Sequence, residues 1–348
     1  FPAVITMMGH SSDGKLYDVY RAVGYELVRN GYVSLHIDPW GAGERTTVHG
    51  KFEYHGAHLG AALLNIGETL LGMQLTDNMR GVDLLSSLPY VDASKIGATG
   101  ASGGGNQTMW LAAMDDRVKA SMPVVSVGTF ESYVMSSNCV CEMLPGGLEW
   151  MEESEVLGMV APRALRVCNA EQDANQAFFP SEMMRSLDNA QTIFDLYEAA
   201  DNLQYQIGNT THGYHPVYRE SLIGWMDLHL KGEGDGTPRP TKEYDIPERE
   251  SMMVFASGNR PDEVVSTVDY FAERERQYAT MEPGEVEDKR KQLRDLLRIP
   301  ENKSLDHAHR FGMDAGWYRY ALETTDGFFI PVLIKSPASS NGEFVMVA

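Results

Sequence analysis

Short, β-branched apolar runs alternate with longer amphipathic segments from residue 2 to about residue 230. In the amphipathic segment 69–88, for example, apolar residues recur at intervals of three and four positions, as they do in a helix with one buried face. Because strands that alternate with helices build βαβ units, the pattern predicts an α/β fold with a mostly parallel sheet and helices on both of its faces. The runs that we interpret as strands are 2–8, 32–38, 94–100, 118–127, 162–169 and 203–209.

A segment without apolar periodicity, 231–247, follows this alternation. It is rich in glycine, proline and charged residues, which is typical of a domain boundary. The predicted regions are a main domain over 1–235, a linker with charged helices over 236–317, and a β-hairpin with a following strand over 318–348. Asp326-Gly327 marks the hairpin turn. The pattern of the last region predicts one of two structures. It is either the start of a second copy of the main domain or β-structure that covers the edge of the main sheet, in the same chain or in a neighbouring chain of a homo-oligomer.

The composition narrows the class of protein and of partner. With 348 residues, 43% of them apolar and 22% charged, the chain has the composition of a globular protein, and its apolar runs are too short to cross a bilayer. A net charge of -20 repels phosphate backbones and anionic lipid, so we expect neither a nucleic acid nor a membrane as partner. The chain begins without Met or a signal region, as expected of a trimmed or partial sequence, and its compartment stays open.

One short motif carries chemistry. The segment Gly100-Ala101-Ser102-Gly103-Gly104 fits G-x-S-x-G and lies between a predicted strand and an apparent helix. A serine at such a tight turn has a strained backbone, and glycines on either side let the strand and the helix approach each other. We therefore predict that Ser102 is a nucleophile and that the N–H of Gly103 donates to an oxyanion. A phosphate loop would carry a lysine, which is missing here.

A serine nucleophile needs a base and an acid, which in this kind of fold follow it in the order acid, then histidine. Asp173 and His212 each come directly after a predicted strand, so both should lie at the sheet edge that carries Ser102. We predict that His212 is the base and Asp173 the acid. Glu142, which follows the preceding strand, is the alternative acid. The second oxyanion donor should be a backbone N–H of Ser11 or Ser12, in the loop after the first strand.

Other candidate residues give weaker signals. His55 and His58 are three positions apart, a spacing that metal sites use, but the sequence marks no third ligand near them. The three cysteines, Cys139, Cys141 and Cys168, show neither a disulfide framework nor metal-ligand spacing, so we expect no metal.

Three aromatic residues lie in the segments expected to shape the pocket. Tyr54, Tyr133 and Trp150 are candidate substrate-binding residues, since an aromatic ring can stack on a sugar, and ordinary packing is the alternative for each.

These residues resemble the α/β-hydrolase fold and, within it, bacterial carbohydrate esterases of the acetyl xylan esterase group. The stretches that carry the resemblance are "GH" with "DGK" after the first strand, "DPWGAGER" after the second, "DNMRGVDLLSSLPYVDASKIGATGASGGGNQT" and "AAMDDRVKASMP". The resemblance implies a Ser-His-Asp esterase that removes acetyl or other small acyl groups from plant cell-wall polysaccharide. It also implies a secreted or periplasmic location and no cofactor.

The resemblance has limits. Glu142 matches an alternative acid position of the related glucuronoyl esterases, but Ala101 stands where those enzymes carry Cys and Gly103 where they carry Arg. A peptidase on the same fold is the alternative enzyme, and an inactive carbohydrate-binding module is the alternative without activity.

Overall fold

Two compact units make up the chain in the computed structural model: Phe1–Ala279 and Thr280–Ala348. The domain boundary predicted near residue 235 lies inside the first unit. The structure describes residues 1–46, 51–56, 58–241, 245–256, 260–261, 264–280, 284–299 and 304–335.

The first unit is built around a parallel sheet. Among the described residues its strand order is β2-β1-β3-β4-β5-β6, and every neighbouring pair is parallel. This confirms the α/β fold predicted from the sequence. The strands are β1 Ala3–Met7, β2 Val33–Ile37, β3 Ile96–Ala101, β4 Val118–Val124, β5 Ala164–Gln172 and β6 Leu203–Thr211.

Helices cover both faces of the sheet, because successive side chains of a strand point to opposite sides. In β1, Ile5 and Met7 join a core with helices α3, α4, α6 and α7, whereas Val4 packs on the other face against α1 and α8. No helix in the described part of the chain is long and apolar enough to cross a bilayer. The helices of this unit are α1 Asp18–Arg29, α2 His58–Asn65, α3 Leu70–Ser87, α4 Gly103–Met114, α5 Phe130–Met135, α6 Glu153–Gly158, α7 Pro180–Leu196, α8 Pro216–Met226 and α9 Thr267–Ala279.

A nearly buried ion cluster joins the loops that follow β1 and β2. The Nζ of Lys15 lies 2.5 Å from Oδ2 of Asp38 and 2.5 Å from Oε2 of Glu44. Glu44 also accepts hydrogen bonds from the backbone N–H groups of Val254, at 2.9 Å, and Phe255, at 2.6 Å. The segment around residue 254, predicted as linker, is thus bound to the first unit by backbone hydrogen bonds that its sequence could not indicate.

Helix α9 is held to the same unit by polar contacts. The hydroxyl of Tyr270 donates to Oε2 of Glu68 at 2.5 Å, and Arg274 pairs with the other oxygen of Glu68 at 2.6 Å. The hydroxyl of Tyr278 donates to the backbone carbonyl of Ile66 at 2.7 Å. A charged helix was predicted in this region, and these contacts explain why it is part of the first unit.

The second unit contains helix α10, Val286–Leu296, and an antiparallel sheet of order β7-β8-β9 in its described part. The predicted hairpin turn at Asp326-Gly327 joins β8 to β9. The strand β7 corrects the prediction that 236–317 is linker and helix, because Ala315 and Gly316, both with positive φ, form a two-residue turn that pairs it with β8. The final strand predicted at 342–348 lies outside the described residues. The strands are β7 Leu305–Asp314, β8 Trp317–Thr324 and β9 Phe329–Ile334.

We predict that Lys15→Met destabilises the protein strongly. The substitution leaves the carboxylates of Asp38 and Glu44, 3% and 5% exposed, without their shared cation. Breaking a buried ion pair costs about 3–5 kcal/mol of unfolding free energy. Urea unfolding followed by circular dichroism measures the change.

Lys95→Met is the matched control. Lys95 is 44% exposed and lies 3.9 Å from Asp92, so its loss should cost about 1 kcal/mol or less. Equal losses of stability in the two variants would contradict the structural role given to Lys15.

Candidate active site

Ser102 occupies the sharp turn between β3 and α4. Its backbone dihedrals, φ 57° and ψ −129°, are rare for a residue with a side chain. Its own N–H donates to the carbonyl of Val124 at 2.9 Å, and its carbonyl accepts from the N–H of Asn106 at 3.0 Å. Hydrogen bonds on both sides therefore hold the strained conformation and place the serine at the beginning of the helix.

The glycines around Ser102 allow close packing of backbone on backbone. A Cβ at Gly104 would collide with the carbonyl oxygen of Met7 in β1, and a Cβ at Gly100 would collide with the carbonyl of Gly104. A Cβ at Gly9 would lie 3.1 Å from the Cβ of Ser102. Strand, turn and helix thus approach one another more closely than any larger residue would permit.

Asp173 and His212 form a hydrogen-bonded pair at the ends of β5 and β6. The Nδ1 of His212 lies 2.8 Å from Oδ2 of Asp173. The other carboxylate oxygen accepts from the N–H of Asn175 at 2.8 Å, and the side chain of Asp173 is fully buried. The ring of His212, 35% exposed, stacks on Phe178 with centroids 5.9 Å apart. A fixed, buried carboxylate therefore orients an imidazole whose Nε2 is left for other chemistry.

A cleft of about 480 Å³ lies at this edge of the sheet. Ser102 and Phe178 both line it, so the ring that supports His212 is also a wall of the space in front of the serine. The side chains that line the cleft are His10, Tyr54, Ser102, Ser136, Ser137, Asn138, Cys139, Glu142, Ala174, Asn175 and Phe178.

Glu142 is also close to the elbow. It lies in the short turn Val140–Glu142 and is 3% exposed, and its Oε1 is 3.4 Å from where a Cβ on Gly103 would be. Burial raises the pKa of its carboxyl to about 7, while the rings of His10 and His212 oppose that rise. The carboxylate that accepts the hydrogen bond of His212 Nδ1, however, is that of Asp173.

The loop after β1 reaches the elbow through Gly9 and His10. The N–H of Gly9 donates to the hydroxyl of Tyr20 at 2.6 Å, which in turn donates to the carbonyl of Ala101 at 3.1 Å. The ring of His10 lies 3.1 Å from where a Cβ on Gly103 would be. His10 was not among the residues predicted from the sequence, although "GH" directly after the first strand was a signal for it.

The two serines predicted as oxyanion donors follow His10. The carbonyl of Ser11 accepts from Gly14 at 3.3 Å and that of Ser12 from Gly43 at 3.1 Å, so both residues are held within the loop by their carbonyls. Donation by their N–H groups, and by that of Gly103, stays a prediction.

The three aromatic candidates have different surroundings. Tyr54 is 48% exposed and lines the cleft, whereas Trp150 is 83% exposed and is not among the residues that line it. Tyr133 is 1% exposed, and its hydroxyl donates to the carbonyl of Ser126 and lies 3.0 Å from Oε1 of Glu153. A ring enclosed in this way has no free face for a sugar, which corrects the expectation for Tyr133; stacking by Tyr54 or Trp150 stays a prediction.

The structure also gives His55 neighbours that the sequence did not indicate. Its Nε2 lies 3.1 Å from Nε2 of His10 and 3.1 Å from Sγ of Cys141. A hydrogen bond from Cys141 holds the pKa of the Cys139 thiol far below its usual value, against the effect of burial. The side chain of His58, the predicted companion of His55, lies outside the described residues.

Comparisons with known proteins agree with the fold. The family model described as the prolyl oligopeptidase family matches residues 52–155. A curated protein of Bacillus subtilis (strain 168), "Putative hydrolase YtaP", is 30% identical over 142 residues, which are 40% of this chain and 46% of that protein. This chain therefore spans about half the length of that relative.

Two solved structures are similar over most of the chain. The methylesterase BT1017 has a TM-score of 0.60 at 22% identity, over 80% of this chain and 61% of that one. A family 15 glucuronoyl esterase from Caldicellulosiruptor kristjansonii has a TM-score of 0.51 at 16% identity, over 73% and 74%. The parallel sheet, the serine at its elbow and these similarities show that the chain has an α/β-hydrolase fold.

Proposed function

We propose that the protein is a serine esterase in which Ser102, His212 and Asp173 form the catalytic triad. The observation that carries the proposal is the 2.8 Å pair of His212 with the buried Asp173, at the same sheet edge as a serine on a strained elbow. The order serine, acid, histidine along the chain is the one that α/β-hydrolases use. Both relatives in the structural comparison are, by their names, esterases.

The reaction would proceed through an acyl-enzyme. Oγ of Ser102 attacks the ester carbonyl carbon while Nε2 of His212 takes its proton, and the resulting oxyanion is stabilised by the N–H of Gly103 at the beginning of α4. The intermediate collapses, the carbon–oxygen bond to the alcohol breaks, and the imidazolium of His212 protonates the leaving alkoxide. Water, deprotonated by His212, then attacks the acyl carbon. The bond to Oγ breaks, the carboxylic acid leaves, and the imidazolium returns its proton to Oγ of Ser102, while Asp173 keeps the imidazole in the required tautomer.

The cleft favours an uncharged ester as substrate. Among the described residues that line it there is no lysine or arginine, and it contains the carboxyl of Glu142. The net charge of -20 further disfavours polyanionic substrates. We therefore propose deacetylation, or removal of a similarly small acyl group, from a neutral plant cell-wall polysaccharide or oligosaccharide, with the hydroxyls of Ser136 and Ser137 and the amide of Asn138 as polar groups in the cleft.

A peptidase is the second candidate, and the match to the prolyl oligopeptidase family over 52–155 is what favours it. Rates on acetylated xylo-oligosaccharides and on prolyl and aminoacyl amides separate the two functions. The esterase proposal expects kcat/KM on the acetyl ester to exceed that on every amide by at least about a hundredfold, or 2.7 kcal/mol of transition-state free energy. A higher kcat/KM on the amides would rule out the esterase and favour the peptidase.

We predict that Ser102→Ala lowers kcat on acetyl esters at least about a thousandfold, because the change deletes the nucleophile and little volume. His212→Ala should cost a similar factor. His215→Ala is the matched control, since His215 is three residues further along and its Nε2 lies 3.4 Å from the hydroxyl of Thr211. More than a thousandth of the wild-type kcat in Ser102→Ala would rule out this nucleophile.

We also predict that Asp173→Asn lowers kcat far more than Glu142→Gln. An asparagine cannot hold the imidazole of His212 in the same tautomer, and the corresponding change in a related triad costs about 10⁴-fold. Glu142→Gln keeps the shape of a side chain that does not bond to Nδ1 of His212. Parallel kcat measurements decide, and the reverse ranking would make Glu142 the triad acid.

A further inference from the structure

Four side chains with metal-binding atoms converge beside the cleft. His10 comes from the loop after β1, His55 from the turn before α2, and Cys139 and Cys141 from the turn before Glu142. Their ligand atoms all lie within 4.8 Å of one another. The shorter separations are 3.1 Å from His55 Nε2 to His10 Nε2, 3.1 Å from His55 Nε2 to Cys141 Sγ, 3.4 Å from His10 Nε2 to Cys141 Sγ and 2.9 Å between the two Sγ atoms.

We propose that His10, His55, Cys139 and Cys141 bind one Zn²⁺ ion. Two imidazoles and two thiolates are a common ligand set of tetrahedral zinc sites. With Zn–N of about 2.0–2.1 Å and Zn–S of about 2.3 Å, a tetrahedron places neighbouring ligand atoms about 3.3–3.8 Å apart. The observed separations, from 2.9 Å up to 4.8 Å, bracket this range.

The tautomer of His55 suits this role. Its Nδ1 lies 2.6 Å from the backbone carbonyl of Trp40, an oxygen that can only accept, so the proton is on Nδ1. In the neutral imidazole, Nε2 then presents a lone pair toward His10 and Cys141. A carbonyl that orients a ligating imidazole in this way is a regular feature of metal sites.

Hydrogen bonds alone satisfy these four ligand atoms less well than a bound cation does. The single lone pair of His55 Nε2 can accept one proton, yet it faces both Nε2 of His10 and Sγ of Cys141 at 3.1 Å. A cation in the middle satisfies all four atoms together. His55 and Cys141 are 6% and 2% exposed, so water replaces little of that interaction, and both cysteines are free thiols in the structure.

Four protein ligands leave no open position, so the ion would be structural rather than catalytic. It would join three loops that form one wall of the cleft, since Tyr54 is next to His55, Glu142 is next to Cys141, and the ring of His10 lies beside Gly103. The proposal does not depend on the proposed hydrolysis, because the ligands are outside the triad.

Zinc content tests the proposal directly. The full chain is expressed with added zinc, dialysed without chelator and analysed by inductively coupled plasma mass spectrometry. We expect about one zinc per chain in the wild type, and at least a tenfold loss in Cys141→Ser and His55→Ala. Cys168→Ala is the control and should keep its zinc, because Cys168 is buried within β5 and is not one of the four ligands.

A spectroscopic measurement on the wild type avoids variants that fail to fold. Replacement of zinc by Co²⁺ should give the intense visible bands of tetrahedral cobalt and a near-ultraviolet thiolate-to-metal band. The proposal would be overturned if the wild-type protein contained no zinc and also gave no such cobalt spectrum. A Cys139–Cys141 disulfide would also overturn it, detected as a non-reduced mass lighter by two hydrogens and located by peptide mapping. A Cys141→Ser variant that keeps its full zinc content would do the same.

Discussion

The rest of the site depends on the positive φ of Ser102. A residue with a side chain adopts that conformation only where its surroundings compensate the cost, roughly 1–3 kcal/mol. Here the compensation comes from two backbone hydrogen bonds and from glycines that let β1, the turn and α4 pack backbone on backbone. Ser102 is thereby placed at the positive end of α4, where a developing negative charge is favoured.

The parallel sheet then supplies the partners. Because all its strands run the same way, the loops after β1, β4, β5 and β6 meet at one edge, and each contributes a group to the candidate site: His10, Glu142, Asp173 and His212. Asp173 is fixed by two hydrogen bonds and full burial, so the imidazole beside it has one preferred orientation. The nearly buried cluster of Lys15 holds the neighbouring loops in place.

Much of this followed from local sequence patterns. The alternation of short apolar runs with amphipathic segments predicted every strand of the parallel sheet, and G-x-S-x-G predicted the elbow. Strands and elbow were predictable because both depend on residues that are neighbours in the chain. The pairing of Asp173 with His212 was predictable because both residues come directly after strands. The convergence of His10, His55 and the two cysteines could not be predicted, because these residues lie on three loops, without a common sequence pattern, that meet only in the folded chain. The burial of Tyr133 was missed for the same reason, since its contact with Glu153 is 20 positions away in the chain. The strand β7 was missed although its pairing with β8 is local, because the turn Ala315-Gly316 was not identified as a hairpin turn.

Covalent labelling tests whether Ser102 is an activated nucleophile. The native protein is treated with a fluorophosphonate, and the adduct is located by intact mass and peptide mapping. We predict one adduct per chain, on Ser102, formed by the folded protein and abolished by prior denaturation. No adduct on the folded protein, or an adduct on a different residue, would contradict it.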